Sequence, residues 1–149
     1  MLKRIFIFAA PVALAMGAVL SSPAHSQASS YVPGDYWETT MIQLTDGQEE
    51  AYMDFLAGEW RRNYDFMKAK GWISEYHILT NTHPRAGEAN MYILTRFKKM
   101  YSAEEQAAQQ KEYEAFAKKD ARRMTEESGK RAVIRKVIGG QLFQELVLK

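Results

Sequence analysis

An α+β fold is what this sequence predicts, with one antiparallel sheet, two helices on one of its faces and the order β-α-β-β-α-β. Three observations predict it. Short runs rich in β-branched and aromatic residues alternate with longer stretches whose apolar residues recur at three- and four-residue steps. Turn and cap residues stand at the junctions between them. Two strand-like runs in succession separate the helical stretches, which is the split βαβ, or ferredoxin-like, arrangement.

The first strand is expected over Tyr36–Leu44 (YWETTMIQL). Asp46 and Glu49 stand three apart and suit a capping box for a helix running from about Gly47 to Lys70. Tyr52, Phe55, Leu56, Trp60, Tyr64 and Met67 form its apolar stripe, and Gly71 suits its C-terminal cap. Trp72–Asn81 (WISEYHILTN) and Asn90–Phe97 (NMYILTRF) read as strands two and three, joined through a polar loop over Thr82–Ala89. Ser102 and Glu105 repeat the capping-box spacing before a long helix from Ala103 to about Ser128. That helix has a thin apolar face. Gly129 interrupts it, Arg131–Ile138 is read as a further helical turn or two, and Gly139-Gly140 stop that turn before a last strand, Gln141–Leu148. On strand three, period-two alternation puts Asn90, Tyr92, Leu94 and Arg96 on one face and Met91, Ile93, Thr95 and Phe97 on the other. Both faces carry large apolar groups, so both call for cover.

Three segments are expected. Residues 1–26 form a signal peptide, 27–35 a mobile leader and 36–149 a single domain. Lys3-Arg4, an uncharged run from Ile5 to Leu20 and small residues before Ser26 and Ala28 have the form of a secretory signal cleaved after one of those two positions. The run is shorter than the roughly 20 residues that span a bilayer. The mature chain is therefore expected to be periplasmic or secreted, and free of the membrane once cleaved. Cleavage after Ser26 takes 26 of the 149 residues and leaves 123, enough for one core. It also removes Lys3 and Arg4, so 18 basic residues balance 18 acidic ones. That balance argues against nucleic acid as a partner. The absence of cysteine excludes disulfides, thiol catalysis and cysteine-ligated metal.

The aromatic second strand, the element order and the terminal strand after Gly139-Gly140 resemble the dimeric α/β-barrel superfamily, which includes the antibiotic-biosynthesis monooxygenase-like domains. The resemblance covers roughly Tyr36 to Leu148 and is one of fold. It implies a homodimer in which two sheets face each other to close a barrel with the helices outside. It carries over no set of catalytic residues, because the superfamily spans cofactor-free oxygenases, haem-binding enzymes, isomerases and lyases.

His77 is the first candidate for chemistry. Alternation places it on the same strand face as Glu75, where a carboxylate can orient the imidazole. It is read as a general base in a pocket between sheet and helices, as an axial haem ligand, or as a hydrogen-bonded residue at a sheet edge or interface. Tyr76 and Arg96 join it as catalytic candidates. Trp60, Tyr64, Trp72 and Tyr92 are candidates for lining a site for a flat apolar molecule, against the alternative that they are core. Glu38, Glu75 and Glu145 are strand acids that act as bases where buried and otherwise pair across strands. His83 lies in a polar loop. With His77 it leaves two histidines and no metal-binding spacing, so no metal site is expected. Neither a glycine-rich phosphate loop nor a nucleophile elbow is present. The leading functional expectation is an exported, cofactor-independent enzyme acting on an aromatic or apolar small molecule. The alternatives are a non-catalytic ligand-binding module, with haem as the one cofactor left open, and a structural homodimer without ligand.

Overall fold

In the computed structural model residues 28–149 are described, and the expected signal segment over 1–26 lies outside them. Four strands, β1 (Tyr31–Leu44), β2 (Glu75–Thr80), β3 (Met91–Phe97) and β4 (Arg135–Leu148), form one open sheet in the order β2-β3-β1-β4. Every pairing is antiparallel. The architecture is α+β and is consistent with a ferredoxin-like fold. Register decides which side chains share a face. Trp37 is opposite Arg96 and Phe143, and Arg96 is opposite Glu75. Glu38 is opposite Thr95 and Leu142, and Thr95 is opposite Tyr76. Side chains of directly opposed residues point the same way, so these are two sets on two faces.

The helical segment after β1 is α1 (Glu49–Phe55), a π turn (Leu56–Trp60) and α2 (Arg61–Ala69) without a break. Tyr52, Leu56, Trp60 and Tyr64 recur at steps of four. Each such step overruns the 3.6-residue turn by about 40°, so three of them would carry the stripe around the helix. A turn closed by wider bonds takes up the excess and keeps Leu56 and Trp60 on the sheet. The core is Ile42 and Leu44 of β1, Met91 and Ile93 of β3, and Tyr52, Leu56 and Trp60 above them. Ile42 and Leu56 are only 1% exposed. Burying each stabilises the fold by about 1.5–3 kcal/mol.

Several boundaries differ from the sequence expectation. β1 begins at Tyr31, so most of the expected leader is strand and pairs with the end of β4, Tyr31 opposite Leu148. Asp46 does not cap α1. A turn with Gln48 N–H donating to Thr45 O at 3.0 Å intervenes, and the N-cap is Gln48, with no side-chain bond. The second helix is two, α3 (Ala103–Ala117) and α4 (Ala121–Lys130). Lys118 adopts a left-handed φ of 54°, and Asp120 caps α4 by accepting from Arg123 N at 2.8 Å. Gly129 stays helical, and only Arg131–Val133 forms the expected extra turn. Gly139-Gly140 do not end an element. They lie within β4, beside a bulge where Met41 faces Gly139 and Ile42 faces Val137. A Cβ on Gly140 would stand 3.2 Å from Thr39 O, so glycine lets the two backbones approach. The Ser102–Glu105 capping box forms as expected, and Gly71 closes α2 at φ 71°.

α3 and α4 bury no residue. α3 rests on α2 rather than directly on the sheet, with Phe116 stacked on Phe66 at 4.0 Å and Tyr113 beside it. The thin apolar face read from the sequence has this consequence: the helix packs on α2 through two rings, Tyr113 and Phe116, and leaves space beneath it.

Candidate functional site

That space is a cavity of 390 Å³ between the helix-bearing face of the sheet, α2 and α3. Glu38, Thr95 and Phe97 come from the sheet, with Leu142 from the edge strand. Tyr64 and Met67 come from α2, and Trp72 and Ile73 from the loop that follows it. Met100, Tyr101, Gln106 and Gln109 close the remaining side. Local contacts fix the walls. Tyr64 stacks on Trp60 at 3.8 Å and meets Tyr76 edge-on at 5.6 Å. Trp72 meets Phe66 edge-on at 5.4 Å. The Tyr101 hydroxyl donates to Trp72 O at 3.0 Å, and the Gln106 amide donates to Tyr101 O at 2.9 Å.

Burial pushes the Tyr64 hydroxyl above its ordinary value of 10.0. A hydrogen bond with Thr95 opposes the shift, and the charge of Glu38 adds to it. Tyr64 therefore stays protonated near neutral pH. Glu38 is the one charged side chain in the lining. The arrangement suits a flat or apolar small molecule whose polar end meets a carboxylate and a hydroxyl.

A second cluster lies on the other face. Arg96 is held by Asp35 at 2.9 Å, Glu145 at 3.3 Å and Glu75 at 3.5 Å, and it sits 5.4 Å from the Trp37 ring centre. His77 Nε2 is 2.9 Å from Glu75 Oε1, and its ring stacks on Trp37 at 6.1 Å. Partial desolvation works against the Arg96 charge, and Asp35 and Glu145 outweigh it, so its pKa is raised. The His77 hydrogen bond lowers the Glu75 pKa, and Arg96 acts in the same direction.

The site read from the sequence is thus divided by the sheet. Tyr64 and Trp72 line the cavity. Trp60 and Tyr76 are on the same side and pack behind Tyr64, in contact at 5.1 Å. His77, Arg96 and Tyr92 are on the opposite face, so His77 does not stand in the pocket between sheet and helices where the sequence reading placed it. Alternation alone already separates His77 from Tyr76. What sequence reasoning missed is the pairing of Glu38 with Thr95. The signal was present, because Glu38 shares its strand face with Ile42 and Leu44 and interrupts an apolar side. Gln106 and Gln109 carried no signal, since they read as the solvated side of a helix.

Haem does not fit this cavity. Neither histidine nor cysteine lines it, His77 lies across the sheet, and no basic side chain is placed to meet propionates. Among the described residues no group of three or more His, Cys, Asp or Glu could hold a metal ion, and no helix is long and apolar enough to cross a membrane. Neither a model of a known protein family nor a curated protein matches the chain.

Proposed function

We propose that this is an exported protein that binds an aromatic or apolar small molecule in the cavity between sheet and helices. The 390 Å³ space walled by Tyr64, Trp72 and Phe97 carries this reading. Its size is in the range of small-molecule sites. Binding is better supported than turnover. One carboxylate faces the cavity, and His77, the acid–base candidate, is on the other side of the sheet. Glu38 is the one carboxylate placed to take a proton from a bound ligand. The test is an amide-resolved NMR titration with benzyl alcohol. Saturable shifts at Tyr64, Trp72 and Thr95, abolished in Leu142→Trp, support the reading. Shifts scattered over the surface, or none with benzyl alcohol and none with its amine analogue, refute it.

Export and dimerisation complete the proposal. The basic start and uncharged run support export, and N-terminal sequencing of the exported form is expected to begin at Gln27 or Ser29. Leu79 and Phe143, each 50% exposed, lie on the helix-free face and support a partner there. A second copy with its sheet face to face closes the barrel of the superfamily that the chain resembles.

A further inference from the structure

The cavity is apolar and aromatic, yet it holds one unbalanced charge. Glu38 is in the lining, and no Lys, Arg or His joins it there. Among the described residues Glu38 makes no ion pair, while the carboxylates around Arg96 and Lys119 are all paired. Its polar neighbours are neutral and can both donate and accept. The Gln106 amide donates one N–H to Tyr101 O at 2.9 Å, and its oxygen is left to accept. Thr95 stands opposite Glu38 in the sheet and contributes a hydroxyl. Tyr64, Trp72, Phe97 and Tyr101 bring four rings to the same space. Ring faces carry negative electrostatic potential and attract cations. A carboxylate and aromatic ring faces favour a positively charged donor, and an anion finds no fixed positive charge in the lining.

From this we infer the class of ligand: a small organic cation, a protonated amine on an aromatic or alkyl body, with its ammonium at Glu38 and its apolar part against Trp72 and Met67. The inference rests on the cavity being a ligand site. Its test uses three probes of similar size, benzylamine as cation, benzyl alcohol as neutral and benzoate as anion, at neutral pH and low salt. Benzylamine is expected to bind about tenfold more tightly than benzyl alcohol, with benzoate weakest. Glu38→Gln should bring benzylamine to the affinity of the alcohol. Added salt should weaken benzylamine alone, because Glu38 is open to solvent. Equal binding of amine and alcohol in the cavity, or a preference that survives Glu38→Gln, overturns the cation assignment and leaves the cavity a neutral-ligand site. Failure of all three probes to shift cavity residues overturns the ligand site itself.

Discussion

Arg96 shows how a strand charge becomes a structural centre. One guanidinium meets three carboxylates from three different segments and rests on an indole, so its removal leaves Asp35, Glu75 and Glu145 repelling one another. Arg96→Met is expected to lower the melting temperature, and added salt should recover part of the loss by screening that repulsion. A melting curve at low and high salt checks this, and an unchanged melting temperature would mean that the cluster is not structural. The same cluster fixes an acid response. Glu75 is held below its ordinary value of 4.5 by His77 and Arg96. The stability it contributes is present above that value and is lost as pH falls through the lower folded-state value. Urea midpoints measured from pH 7 downward should fall below about pH 4.5, and Glu75→Gln should flatten part of that fall. The fall should not vanish, because Glu127 and Glu105 are lowered in the same way by Lys119 and Lys99.

Elements differ in how they are held. β1 is paired on both sides and lies over the core, whereas α3 is held by its cap, by Tyr113 and Phe116 on Phe66, and by Glu112 on Lys70. Ser102 accepts from Glu105 N at 3.2 Å, and Ser102→Ala should cost about 1 kcal/mol in urea denaturation. Where α3 ends, Lys118 takes the left-handed conformation at φ 54°, which is costly for a residue with a Cβ. Lys118→Gly should stabilise the fold by up to about 1 kcal/mol, because glycine adopts that conformation without the clash. The break is not incidental. It turns Lys119 inward to meet Glu59 at 2.8 Å and Glu127 at 2.5 Å, which ties the first helical segment to α4.

For the whole molecule the unanswered face is the sheet's other side. On that side the edge strand β4 leaves Phe143 and Val147 exposed, and Leu79 adds to the apolar surface from the opposite edge. A homodimer of about 28 kDa is expected for the mature chain, from two chains at about 0.115 kDa per residue. Phe143→Glu on the helix-free face should yield a monomer by light scattering and lower thermal stability together. A wild-type monomer at micromolar concentration would show instead that the face stays open. His77→Ala, on that same face, should leave ligand binding in the cavity unaltered, which an NMR titration of the variant checks.

The sequence by itself determined the element order, the α+β class, the capping box at Ser102, the glycine end of α2 and the aromatic stripe over the sheet. These depend on neighbours three or four residues apart, or on alternation along one strand, and local chemistry suffices for them. Tertiary structure alone decided the rest. Strand pairing pulled Tyr31–Asp35 and Gly139-Gly140 into the sheet, because backbone hydrogen bonds to a neighbour overrule weak local preferences. It set Glu38 beside Thr95 and divided His77 from Tyr64. No spacing along the chain records which face of a sheet the helices will cover, or how far above it the second helix comes to rest. That height made the cavity, and it follows from the contact of Phe66 with Phe116, two residues fifty positions apart.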